Sequence, residues 1–223
     1  MPIRAVFFDM DGTLTDTRRP IPFLIRHYLN KKKEVTFEET MAVLALIYNE
    51  NTSWFNLRLP TSLSRTFRIS TLRVVVGMLI AVWKYLQWDS NPRIFPETNS
   101  ILQELRDHRL KIALITNGSL RQVKSRIPSL IPYFDLIIHN AMYKRKKPSP
   151  EPLLRGLRAL KVSSQEAVYV GDALEDFLAA LAAGMQMFLV PTGTFGPGPV
   201  YSGEFRPTLL KRGLRDLPEF VLS

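Results

Sequence analysis

The stretch AVFFDMDGTLTDT, residues 5–17, runs apolar for four positions and then sets two aspartates, Asp9 and Asp11, two apart. An unbroken apolar run that stops at a polar residue reads as a strand buried on both faces, the kind found in parallel sheets. Asp-Gly is also a common way to turn a corner. A corner accounts for one aspartate and for Gly12; it leaves the other without a reason.

Four more runs share this character: LKIALIT (110–116), FDLIIH (134–139), AVYVGD (167–172) and MFLV (187–190). Helical patterns fill the gaps at 97–108, 120–127, 150–160 and 174–184. Strands alternating with helices predict an α/β fold, a Rossmann-like doubly wound parallel sheet with helices on both faces. The first two strands are separated by more than 100 residues, far beyond one crossover helix. Residues 17–92 are therefore expected to form an inserted all-helical domain, with 1–16 and 93–223 as the core. Thr36 and Glu39 fit a capping box inside that insertion. PTGTFGPGP (191–199) reads as a surface loop before a short C-terminal segment.

At 223 residues, 46% hydrophobic and 22% charged, the composition is that of an ordinary globular protein. It has no cysteine, which excludes a disulfide framework and Cys-ligated zinc. The longest apolar run, Val74 to Trp83, is ten residues, against about 20 for a membrane span; it reads as a buried or interface helix. A core strand beginning at residue 3 leaves no room for a signal peptide, so the expected compartment is the cytoplasm. The formal net charge is +10, and residues 17–92 hold eleven Lys/Arg against five Asp/Glu. Such a field could steer phosphorylated substrates or bind nucleic acid in a salt-dependent way.

In open parallel sheets, ligands sit beyond the carboxyl ends of the strands. Asp9, Thr116 and Asp172 each end an apolar run, and Lys147 opens KPSPEP ahead of a helix. Asp9 and Asp11, two apart in an extended chain, are expected on one side of it. Four connections thus converge on one crevice with carboxylates, a hydroxyl and a lysine.

The chain resembles the haloacid dehalogenase (HAD) superfamily, and within it the hydrolases with a helical cap inserted after the first strand, phosphoglycolate phosphatase-like and beta-phosphoglucomutase-like. The motifs are DMDGTLTD (9–16), TNG (116–118), KKPSPEP (146–152) and GDALED (171–176), followed by AALAAGM (179–185). Ala173 departs from the pattern, since relatives commonly have Ser or Thr there, and this should soften the surrounding hydrogen bonding. The resemblance implies that Asp9 is the nucleophile, forming an aspartyl-phosphate. Asp11 would be the general acid and then the general base; neighbouring carboxylates favour the raised pKa that an acid needs. Gly12 would bring the chain close to the phosphate, and Thr13 would tie the turn. Thr116, the Asn117 backbone N–H and Lys147 would hold and neutralise the phosphate.

Four carboxylates meeting a phosphate dianion need more positive charge than Lys147 supplies, because one like-charge pair at ~4 Å costs roughly 4 kcal/mol at an effective dielectric near 20. Mg2+ is the expected cofactor. Its ligands would be the carboxylates of Asp9 and Asp172 and the backbone carbonyl of Asp11, with Asp176 holding a metal-bound water. The expected activity is Mg2+-dependent hydrolysis of a small phosphomonoester. A phosphomutase shares every core motif, and a basic, noncatalytic nucleic-acid-binding module is the alternative from another class. The second aspartate argues against dehalogenation. His27, His108 and His139 have no metal-ligand spacing. NENTSW (49–54) is expected either to close over the crevice or to connect two cap helices.

Overall fold

The computed structural model describes residues 2–16, 93–191 and 207–222. They belong to one compact unit, formed by Met1–Thr17 with Pro92–Ser223. The helical reading of 17–92, with its capping box, its apolar run and its NENTSW loop, lies outside the described residues, as does most of the 191–199 loop.

Six parallel strands form one sheet: β1 (Ala5–Phe8), β2 (Lys111–Ile115), β3 (Leu136–Ile138), β4 (Ala167–Gly171), β5 (Gln186–Leu189) and β6 (Thr208–Leu209). Their order is β3-β2-β1-β4-β5-β6, so the direction of winding reverses at β1. Phe7 lies opposite Ala113 of β2 and Tyr169 of β4. The doubly wound parallel reading of the core holds. β6 escapes sequence analysis because two residues are too few to show a periodicity.

Successive side chains point to opposite faces, and each face has its own core. Val6, Phe8, Ile112, Leu114, Val168 and Val170 pack with Ile101, Leu102 and Leu105 of α1 (Thr98–Asp107) and with Leu217 and Val221 of α5 (Leu217–Val221). On the other face Phe7, Ala113, Ile115 and Tyr169 meet Leu153 and Leu157 of α3 (Glu151–Leu160) and Ala179, Ala180 and Ala183 of α4 (Leu174–Ala183). Burial on both sides is why β1, β2 and β4 read as continuous apolar runs.

α2 (Leu120–Arg126) begins at a capping box: Gln122 N–H donates to Ser119 Oγ, and Ser119 N–H donates to Gln122 Oε1. Because Ser119 caps this helix, Thr116 does not have to. Among the described residues no helix is long and apolar enough to cross a membrane.

Candidate active site

The ladder that builds the sheet also places the first carboxylate. Asp9 N–H donates to Val170 O at 2.9 Å, so Asp9 is held at the end of β1, against β4. Asp172 comes directly after β4, and Asp176 lies in the first turn of α4. The three carboxylates are buried, with ligand oxygens all within 4.8 Å of one another. Glycine is required at two points. Gly12 has φ +88°, and a Cβ there would stand 2.0 Å from Asp172 Oδ2. A Cβ on Gly171 would meet Asp176 Oδ2 at 2.7 Å. The close approach at Gly12 is thus to Asp172, and Thr13 Oγ1 donates to Asp172 Oδ1 at 3.3 Å.

Lys147 closes the cluster. Its side chain is 1% exposed, and Nζ donates to Asp9 Oδ1 and Asp176 Oδ1, each at 2.6 Å. Nζ also donates to the Tyr169 hydroxyl at 2.8 Å, and that hydroxyl donates to Asp176 Oδ1 at 2.8 Å. Both oxygens of Asp176 are engaged, since Oδ2 accepts the N–H groups of Asp172 and Ala173 at 3.2 and 3.1 Å. Ala173 offers no side-chain cap to α4, and the Asp176 carboxylate takes the orphan donors instead. Asn117 ties the β2 loop to the lysine loop: Oδ1 accepts Lys147 N–H at 3.0 Å and the Tyr143 hydroxyl at 3.1 Å. Thr116 is buried, its Oγ1 accepting Gly118 N–H at 3.0 Å.

The electrostatics of the cluster are set by burial and charge count. Burial pushes the Asp9 carboxyl up to about 8; Lys147 opposes this, while Asp176 and Asp11 add to it. Asp172 is also held well above the usual carboxylate range, by burial first and then by Asp176 and Asp9. Burial would lower the Lys147 ammonium, but Asp176 and Asp9 outweigh it and hold the group well above the usual lysine range. When ionised, three buried carboxylates around one ammonium carry more negative charge than Lys147 offsets, and this oxygen donor set fits a hard divalent cation.

Asp11 lies just past β1, near enough to Asp9 that its charge helps raise the Asp9 carboxyl. β1 ends at Phe8, and the chain then turns, with Leu14 and Thr15 N–H both donating to Met10 O at 2.9 and 3.0 Å. The Asp11 carboxylate meets Arg126: Nη1 donates to Oδ1 at 2.8 Å and to Oδ2 at 2.7 Å.

Sequence reasoning missed Arg126, Tyr169 and Tyr143. Arg126 had a readable signal, because it shares a helical face with Val123 and precedes Ile127, both fully buried. Tyr169 is a polar-tipped residue in a run buried on both sides, a placement that calls for a partner. His139 lies just past β3, and its Nδ1 is buried without a hydrogen-bond partner among the described residues.

Comparison with known proteins agrees with this architecture. Residues 6–190 match the family of haloacid dehalogenase-like hydrolases, and the chain belongs to it. A phosphoglycolate phosphatase of Nitrosospira multiformis is 28% identical over 202 residues, covering 86% of this chain and 85% of that protein. The pyrophosphatase PpaX of Bacillus cereus is 26% identical over 223 residues, covering 97% and 95%. In fold, the chain is similar to CbbY from Rhodobacter sphaeroides, solved in complex with phosphate, with a TM-score of 0.58, 22% identity and 96% of each chain covered.

Proposed function

We propose that this chain is a Mg2+-dependent phosphatase that hydrolyses a small phosphomonoester through an aspartyl-phosphate on Asp9. The observation that supports it most is the buried Lys147 ammonium, shared between Asp9 and Asp176 beside Asp172. In the first step an Asp9 carboxylate oxygen bonds to phosphorus as the bond from phosphorus to the leaving oxygen breaks. Asp11 gives that oxygen its proton. In the second step Asp11 takes a proton from water, the water oxygen bonds to phosphorus, and the Asp9–phosphorus bond breaks. Lys147 favours the ionised form of Asp9 against the effect of burial and offsets charge on the phosphate. Thr116 Oγ1 and the Asn117 N–H hold phosphate oxygens, and the Asn117 side chain keeps the lysine loop against the β2 loop.

The carboxylates of Asp9 and Asp172 and the backbone carbonyl of Asp11 would hold Mg2+, with Asp176 behind them. When bound, Mg2+ supplies the positive charge that lets three carboxylates and a phosphate dianion share one site. Residues 17–92 form the inserted cap in this reading and select the leaving group. A phosphomutase would use the same core residues and differ in that cap. The protein works in the cytoplasm on a small phosphorylated substrate, and nucleic acid is not its main partner.

The test is a kcat/KM screen with Mg2+ over p-nitrophenyl phosphate, phosphoglycolate, sugar phosphates, nucleotides and pyrophosphate. Turnover that is lost in EDTA and restored by Mg2+ is expected. Absence of phosphate release from every substrate overturns the reading, and transfer of the phosphoryl group between two positions of a sugar moves it to the mutase.

A further inference from the structure

We propose that Tyr143 is a positioning residue: its hydroxyl holds the peptide between Thr116 and Asn117 so that the Asn117 N–H is aimed at a phosphate oxygen. The inference rests on the reading of that N–H as a phosphate donor of the phosphatase.

The Tyr143 hydroxyl shares its one proton between two acceptors of this segment, the Thr116 carbonyl at 2.9 Å and Asn117 Oδ1 at 3.1 Å. The Thr116 carbonyl and the Asn117 N–H belong to one peptide unit. In a planar trans peptide the two point to opposite sides, so a group that fixes the oxygen also fixes the direction of the N–H.

The backbone around this unit shows where that direction leads. Thr116 N–H donates to Ile138 O and Asn140 N–H donates to Gly118 O, both at 3.0 Å, so Thr116 and Gly118 face β3. One residue back from Thr116, Ile115 O accepts Lys147 Nζ at 3.3 Å, and the same ammonium holds Asp9. Backbone groups alternate sides along a strand, so the Asn117 N–H follows Ile115 to the side of Lys147 and Asp9. Among the described residues that N–H has no acceptor.

The other donors of Asn117 are committed. Nδ2 donates to Lys147 O at 3.2 Å and to Glu175 Oε1 at 3.3 Å, while Oδ1 also accepts Lys147 N–H at 3.0 Å. What Asn117 has left to offer a phosphate is its backbone N–H. Tyr143 holds this unit from a fixed base, since its ring packs against the core beneath α3 and α4. Burial raises its hydroxyl above the ordinary value, Lys147 opposes this, and Asp9 and Glu175 add to it, so the group stays protonated and donates. A donor on the carbonyl also polarises the peptide, which strengthens its N–H.

The experiment adds inorganic phosphate, with Mg2+ at saturation, to wild type and to Tyr143→Phe, which keeps the ring and deletes the hydroxyl. In 1H–15N spectra of the wild type, phosphate should move the Asn117 amide proton downfield. In Tyr143→Phe that shift should shrink and the inhibition constant of phosphate against p-nitrophenyl phosphate should rise by about tenfold, with kcat/KM falling at least as far. A tyrosine that only packs the loop would lower the melting temperature in Tyr143→Phe and leave the inhibition constant and the shift as in wild type; that result overturns the inference. An Asn117 amide that phosphate does not move in the wild type overturns it too, and this measurement decides the matter if Tyr143→Phe fails to fold by circular dichroism. Both of these results leave the phosphatase reading standing as long as the wild type releases phosphate from its substrates. No phosphate release from any substrate overturns both readings.

Discussion

Asp9 and Lys147 are each other's reason for being where they are. A carboxylate this deep is pushed up by burial, and the ammonium 2.6 Å away is what favours its ionised form. Asp9→Asn keeps the volume and removes the proposed nucleophile, so turnover should fall by more than about a thousandfold while the fold persists. Steady-state assay beside a circular dichroism spectrum checks this, and retention of several per cent of wild-type kcat contradicts it. Lys147→Met should behave differently, because it leaves Asp9 and Asp176 buried without their shared cation. Stripping one partner from a buried pair costs about 3–5 kcal/mol, so urea unfolding in EDTA should show a loss of that order as well as the loss of activity. An unchanged urea midpoint would mean the ammonium has no structural role.

At the level of elements, the site is assembled from residues just past the carboxyl ends of β1, β2 and β4, with Lys147 brought in by the connection after β3, and glycine sets how closely the pieces approach. Gly12 lies at φ +88° with its missing Cβ 2.0 Å from Asp172 Oδ2, so Gly12→Ala must move the turn or the carboxylate. The left-handed backbone alone costs about 1–2 kcal/mol for alanine. Gly12→Ala should lower the melting temperature in EDTA and also weaken metal binding, raising the Mg2+ concentration for half-maximal activity. A melting temperature and metal titration equal to wild type would show that the turn absorbs a methyl group freely. α2 offers a contrasting substitution. Ser119→Ala removes a helix cap worth about 1 kcal/mol without removing any of the clustered carboxylates, and it should cost stability while leaving the Mg2+ requirement as in wild type.

Across the whole molecule the buried charges link stability to pH and metal. Asp9 is raised from 3.8 to about 8 on folding, and Asp172 is raised too, so the folded state binds more protons than the unfolded state across that range. Without metal, the stability Asp9 contributes is complete below about 4 and is lost as pH rises through about 8, by at most ~1.4 kcal/mol per pH unit, and Asp172 acts in the same direction. Mg2+ favours the ionised carboxylates and should reverse the trend, stabilising more at pH 8 than at pH 5. Melting curves at both pH values with Mg2+ and with EDTA test this, and a metal effect independent of pH would contradict it. The sequence by itself determined the doubly wound core, because strands buried on both faces must be apolar throughout and their polar ends must fall at one rim; Asp9, Thr116 and Asp172 were legible for that reason, Lys147 from its loop ahead of a helix, and Asp176 through the resemblance carried by GDALED. Only the tertiary structure decided that Asp11 turns to Arg126, that Tyr169 joins Lys147 to Asp176, and that β6 extends the sheet. Each depends on partners far apart in the chain or on an element too short to show a pattern, and local periodicity holds no information about contacts 115 residues apart.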